Sequence, residues 1–266
     1  MYEFNYHKAT SVADAAAKLA AANDAKLLAG GQTLIAALKL RLASPSDVID
    51  LRGIAELRGI RKDGGAISIG ALTTHAEVAA SKDVLQAVPA LANLAASIGD
   101  PMVRNMGTLG GSVATNDPAA DYPAGVVGLG ATIHTNKRKV AAADFFTGMY
   151  ETALQPGEII TSVSFPLPKR AGYAKFKNPA SRYAIVGVFV AETANGVRVA
   201  VTGAGPCVFR VAAMEKALGA KFSADAVASI KVAAAGLNSD MHASAEYRAH
   251  LVTVMARRAV ETATAT

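Results

Sequence analysis

The sequence predicts an α+β fold: two small α/β subdomains followed by a C-terminal antiparallel sheet with helices. Three observations carry this. Over the first fifty residues, short apolar runs alternate with helical periodicities, the pattern of an α/β unit. Pro166-Leu167-Pro168 then punctuates the chain. Beyond it, the apolar runs Tyr183–Glu192 and Gly196–Val201 are joined by Thr193-Ala194-Asn195-Gly196, and Asn-Gly between such runs signals a β-hairpin. The units expected are residues 1–53, 54–167 and 168–266, in keeping with a length of 266 residues.

In the first unit, Ser11 with Asp14 three positions later resembles a capping box, and Val12, Ala15, Ala16 and Leu19 follow at helical spacing. Lys26-Leu27-Leu28-Ala29 is a short apolar run ending on Gly30-Gly31, as expected of a buried strand entering a tight turn. Thr33 is placed to cap the next helix, whose apolar stripe is Leu34, Leu38 and Leu42 and which Pro45 stops. Val48-Ile49-Asp50-Leu51 closes the unit as a strand. In the second unit, Ala66–Ala71 reads as a strand, Thr74 as a cap, and Val84–Ile98 as an amphipathic helix interrupted near Pro89. Gly99–Pro123 has little periodicity and reads as irregular; a structureless run of that length inside a compact domain usually serves function. Strands follow around Ile133 and over Ile159–Phe165, and the pattern from Val211 onward is mostly helical.

Composition narrows the function. The balance of 27 basic to 21 acidic residues suits an anionic ligand or an acidic partner, and equally a surface of solvated lysines. Its densest run, Lys137-Arg138-Lys139, is short enough for a hairpin tip and has no interleaved aromatics, so no nucleic-acid binding is expected. A lone cysteine, Cys207, cannot build a disulfide framework, an Fe–S cluster or a zinc site, so any redox centre in this chain is an organic cofactor. The N-terminus has no signal-like pattern and no apolar stretch reaches the ~20 residues of a membrane span, so a cytoplasmic protein is expected.

Two segments carry chemistry. Gly30-Gly31-Gln32-Thr33 lies between a strand and a helix, where glycines allow close approach and successive free N–H groups form an anion-binding concavity. The following helix aims its positive end there. Met106–Asp121 repeats this at greater length, with backbone N–H groups, the hydroxyls of Thr108, Ser112 and Thr115, and the amide of Asn116. The carboxylates of Asp117 and Asp121 suit ribose or ribityl hydroxyls. Either turn alone also fits a ligand-free connection. Together they suit a phosphorylated dinucleotide, which has a pyrophosphate, a ribose and a ring system to hold.

At these residues the sequence resembles a known family. Ala29-Gly30-Gly31-Gln32-Thr33-Leu34 and Thr108-Leu109-Gly110-Gly111-Ser112 are similar to the paired flavin signatures of the FAD-binding medium subunits of molybdenum hydroxylases. That group includes carbon monoxide dehydrogenase, xanthine dehydrogenase and related aldehyde and N-heterocycle dehydrogenases. The resemblance extends through Ile69–Thr74, Asp144–Gly148, Leu154–Ile160 and Ala256–Ala259. It implies a PCMH-type FAD-binding domain in which both turns hold the FAD pyrophosphate. It also implies that Asp121, Ile160 and Lys177 contact the cofactor and that Tyr183 sets an aromatic ring beside the isoalloxazine. The family often has asparagine at the position of Ser112 and aspartate at that of Arg182; an arginine there either faces the flavin or points to solvent or a partner.

Function, as the resemblance implies it, is electron transfer. A large subunit with a molybdenum cofactor oxidises the substrate, and a small subunit relays electrons through [2Fe-2S] clusters. FAD on this chain then reduces an external acceptor, in a dimer of heterotrimers. Two alternatives are a self-sufficient flavoprotein oxidoreductase of the same superfamily and a flavin-free assembly module. Among other residues, His75 and His134 are expected at the surface, Met102, Met106 and Met149 in the core, and Cys207 as a small buried hydrophobe. Tyr173 and Phe176 join Tyr183 as candidates for an aromatic edge at the cofactor.

Overall fold

The computed structural model describes residues 1–265; Thr266, the last residue of the third expected unit, lies outside them. The first unit is β1 (Asn5–Lys8), α1 (Val12–Ala21), β2 (Ala25–Leu28), α2 (Leu34–Lys39) and β3 (Asp47–Asp50). Its three strands are parallel in the order β1-β3-β2, with Asn5 opposite Asp47 and Leu28 opposite Asp50. Ser11 caps α1 by accepting the N–H of Asp14. The helix that follows the first glycine turn, α2, departs from expectation. Thr33 is helical at the N-cap and makes no capping bond, and α2 ends at Lys39, before Arg41 takes φ 59°. Leu38 is buried but Leu42 is 78% exposed, so the apolar stripe stops one turn early.

The second unit comprises β4 (Ile60–Asp63), β5 (Ala66–Gly70), six helices, β6 (Thr132–Thr135), β7 (Lys139–Ala141), a short helix, β8 (Phe146–Gly148), β9 (Glu151–Thr152) and β10 (Ile160–Pro166). The six helices are α3 (His75–Ala80), α4 (Lys82–Ala87), α5 (Pro89–Ala96), α6 (Pro101–Met106), α7 (Leu109–Thr115) and α8 (Tyr122–Leu129); the short one is α9 (Ala142–Phe145). Strands β4-β5-β10-β6-β7 form an antiparallel sheet, and β8-β9 pair separately. Thr74 and Glu77 close a full capping box on α3, and Pro89 opens α5 where the helical pattern is interrupted. The Gly99–Pro123 stretch is not irregular. Asp100 caps α6 and Thr108 caps α7, while Asn116 ends α7 in a left-handed turn at φ 45°. Helix α7 is hidden because its glycine, alanine and serine carry no apolar period, and α6 because six residues are too few to show one; capping and tertiary packing define both.

The third unit is an antiparallel meander, β11 (Arg170–Lys177), β12 (Ala184–Thr193), β13 (Gly196–Thr202) and β14 (Phe209–Arg210), followed by α10 (Ala212–Ala220), α11 (Ala224–Ala228) and α12 (Ala245–Ala265). The hairpin closes on Thr193 opposite Gly196, so Ala194-Asn195 forms its tip and Gly196 supplies the positive φ of 102°. The last helix lies on β11 and β12, so close at Gly172 that a Cβ there would meet the Ala259 carbonyl oxygen at 2.0 Å. Helix α8 is buried on all sides, as its uniformly apolar sequence requires. Its Gly128 rests on the ring of Phe189 in β12, and one core spans the second sheet, its helices and part of the third sheet.

Gly172→Ala should therefore destabilise the protein by about 1–3 kcal/mol, the usual cost of overpacking a tight contact. A thermal melt that leaves the midpoint unmoved would show that α12 can retreat from the sheet at no cost.

Candidate functional site

The two glycine turns meet. A Cβ on Gly30 would lie 2.1 Å from the Met106 carbonyl oxygen, and one on Gly110 would lie 2.5 Å from the Ala71 Cβ. Gly31 adds a positive φ of 74°. Only residues without side chains allow this approach. Between and beyond the turns opens a cavity of about 740 Å³, walled by the first turn, α7, Ile98-Gly99, Leu154–Ile160 and Ser181–Tyr183. The residues that the resemblance places at the cofactor line it except Leu109 and Lys177; of the further candidates, Asn116, Tyr173 and Phe176 do not. Ile160 lies on one wall, and Tyr183, 47% exposed, stands at another.

The turns differ in what they offer. In the first, the N–H groups of Gly30, Gly31, Gln32 and Thr33 donate to nothing among the described residues, so they are free for an anion. The uncapped start of α2 thus leaves donors available rather than satisfied. In the second, the backbone does not supply the expected cradle. The N–H of Leu109 donates to Thr73 O, that of Gly110 to Ala71 O and that of Ser112 to Thr108 O, while Gly111 donates to Thr108 Oγ1. Thr115 and Asn116 are also spent internally: the Thr115 hydroxyl donates to Gly111 O, and the buried Asn116 amide holds the β8–β9 hairpin through Gly148 O and Glu151 O. What the second turn presents is glycine backbone at close range and the hydroxyls of Thr108 and Ser112.

Asp121 lies at the cavity floor and is 4% exposed. Its carboxylate accepts from Tyr173 Oη and pairs with Lys175 Nζ at 2.9 Å. Burial pushes its pKa up, against the pull of Lys175 and Tyr173. The same Nζ donates to Ser97 O at 2.9 Å and Arg182 O at 3.0 Å, so one lysine ties the floor, the Ile98 wall and the loop carrying Tyr183. The resemblance points to Lys177 rather than Lys175, and Tyr173, Lys175 and Lys177 share strand parity. A bulge between Phe176 and Lys177 breaks that parity, and Lys177 is exposed. Arg182 lines the cavity with φ 63°, inside a loop that Asn178 braces by accepting the N–H groups of Ala180 and Ser181. Tyr173 is half-buried and packs on Phe189, and Phe176 packs edge-on to Tyr247, so Tyr183 is the ring that reaches the cavity.

Other expectations are corrected. His75 is 5% exposed and lines the cavity, because its ring folds under Gly107 and against Tyr122. Met102, Met106 and Met149 are exposed. Helix α6 turns Val103 rather than its methionines toward the cavity. Cys207 is half-buried and accepts from Asn116. Glu158, unmarked by sequence, has a fully buried side chain held by Arg138 at 2.7 Å and by the N–H of Gln155. Arg138, at the expected hairpin tip, thus anchors the loop beneath the cavity. Beyond Tyr183, a second cavity of about 460 Å³ is lined by Tyr150, Asn238, His242 and Arg248 among others. No helix among the described residues is long and apolar enough to cross a membrane.

Free donors, glycine-only approaches and a large cavity with one aromatic wall define a dinucleotide-binding protein. Residues 2–168 match the family model of the FAD binding domain in molybdopterin dehydrogenase, and residues 171–263 match that of the CO dehydrogenase flavoprotein C-terminal domain. The chain is 37% identical to the carbon monoxide dehydrogenase medium chain of Afipia carboxidovorans, over 98% of this chain and 97% of that one. It is 36% identical to the nicotine 6-hydroxylase medium subunit of Paenarthrobacter nicotinovorans, over 96% and 95%. Reconstituted CO dehydrogenase from Oligotropha carboxidovorans superposes with a TM-score of 0.90 at 36% identity, covering 99% of this chain and 98% of that one. This chain belongs to the family of FAD-binding medium subunits of molybdenum hydroxylases, an oxidoreductase family. Likeness to medium chains over nearly their full length favours the subunit over a self-sufficient flavoprotein.

Two outcomes follow. Gly30→Ala should lower FAD occupancy about tenfold, since a contact strained by about 1–3 kcal/mol must open the seam between the turns; the flavin-to-protein absorbance ratio of the purified protein measures it. Glu158 is held at about 2, below its ordinary 4.5, chiefly by the Arg138 hydrogen bond. Its contribution to stability is therefore complete above pH 4.5 and lost as pH falls toward about 2. Melting midpoints of wild type and Glu158→Gln should converge on acidification across that window.

Proposed function

We propose that this chain is the flavin subunit of a three-component hydroxylase, receiving electrons from the [2Fe-2S] clusters of a small subunit after a large molybdenum subunit has oxidised the substrate. When bound, FAD supplies the redox chemistry, taking up electrons and passing them to an external acceptor. The chain's own residues hold and orient it. The free N–H groups of Gly30–Thr33 take the pyrophosphate, with the Thr108 and Ser112 hydroxyls opposite. Asp121 accepts from ribityl or ribose hydroxyls while Lys175 and Tyr173 hold it in place. Ile160 and Tyr183 exclude water from the ring system, and Arg182 stands close enough to the cavity to favour an anionic reduced flavin. The observation that carries the reading is the set of unbonded N–H groups facing a seam that only glycines allow.

The assembly is a dimer of heterotrimers in the cytoplasm; the lone, unpaired Cys207 suits a reducing compartment. The substrate is chosen in the large subunit, not here. Purifying the native complex and recording subunit masses, flavin absorbance, molybdenum and iron tests this directly. Three subunit types with one FAD per copy of this chain are expected. A lone yellow protein that turns over a substrate, or a colourless complex, would overturn it.

A further inference from the structure

We infer that His75 donates a hydrogen bond through Nε2 to the pyrophosphate of the bound dinucleotide. The inference rests on the FAD reading and deepens it. His75 is the first residue of α3, and its backbone N–H donates to Gly107 O, which fixes it to the segment joining the two glycine turns. Its ring lies directly under that segment: a Cβ on Gly107 would come within 2.5 Å of Nε2. The Met106–Gly107 backbone is also where Gly30 seats, so the imidazole lies at the crossing of both turns.

The two ring nitrogens differ. Nδ1 is sealed in the protein without a partner, and the ring leans on Tyr122 with centroids 5.3 Å apart. Nε2 is neither bonded nor sealed, and the residue lines the cavity. A buried imidazole with one nitrogen sealed has only the other to satisfy. The ring is uncharged: burial, then the nearby Arg104 guanidinium, lowers its pKa to about 4. Neutral imidazole carries one N–H, and placing it on Nε2 puts the donor where an acceptor can reach it.

The chemistry of the seam asks for such a donor. A pyrophosphate brings two negative charges, yet neither turn contains a lysine or arginine. The second turn has spent its N–H groups from Leu109 to Ser112 internally. Beyond the first turn, the donors near the crossing are the N–H of Thr108, the hydroxyls of Thr108 and Ser112, and His75.

The test uses the native complex, stripped of flavin and titrated separately with FAD and with ADP, which carries a pyrophosphate but no isoalloxazine. His75→Phe keeps a ring against Tyr122 and removes both nitrogens; it should weaken both probes about tenfold, the worth of one hydrogen bond to a charged group. His75→Gln, whose amide nitrogen reaches the Nε2 position, should restore most of the affinity, and His75→Asn, which reaches only Nδ1, should not. Native affinity for both probes in His75→Phe would overturn the inference, as would a loss confined to FAD. If His75→Phe does not assemble, equal affinities of the Gln and Asn variants would overturn it. A wild-type complex that binds neither probe would instead sink the FAD reading itself.

Discussion

Gly30 touches the Met106–Gly107 backbone where no side chain would fit, and the cofactor site depends on that contact. It closes the first unit onto the second. On one side it leaves a strand-to-helix turn with unused N–H groups; on the other, a helix whose first N–H groups are taken by the Ala71–Thr73 backbone. An anion placed in the seam is held by donors from one unit against a glycine surface from the other. Gly110 on Ala71 and Gly107 over His75 extend the same close packing.

A second constraint joins the middle and last units. Lys175 and Asp121 are both buried, and a buried pair is worth little unless its remaining hydrogen-bonding capacity is filled. Here it is filled by Tyr173, Ser97 O and Arg182 O. That arrangement sets the loop bearing Tyr183 in place and leaves the ring at the boundary between the two cavities. Rigid glycine packing at the pyrophosphate end thus contrasts with a polar knot at the ring end, and each is suited to its part of the ligand.

Much of this was legible from residues alone. Both glycine turns, the caps at Ser11 and Thr74, the break at Pro89 and the third-unit hairpin all follow from local chemistry, which acts within a few residues. Two helices escape sequence reading for different local reasons. Helix α7, Leu109-Gly110-Gly111-Ser112-Val113-Ala114-Thr115, is built from small residues for close approach, and α6, Pro101-Met102-Val103-Arg104-Asn105-Met106, is too short to show a period, so neither carries the signal that marks most helices. The resemblance points to Lys177, and sequence could not add Lys175 to it, because the bulge that separates the two lysines is invisible to strand parity.

The sequence by itself determined the order of elements, the glycines at the seam and the family, because each is written in short motifs or in composition. Only the tertiary structure decided which turn keeps its donors and which lysine is buried. It alone brought His75 under the seam and Glu158 beneath the cavity. Those outcomes depend on partners far away in the chain: Ala71 and Thr73 for α7, Asp121 for Lys175, Gly107 for His75 and Arg138 for Glu158. Whether an N–H or a carboxylate is free or spent is a property of what packs against it, and no local pattern records that.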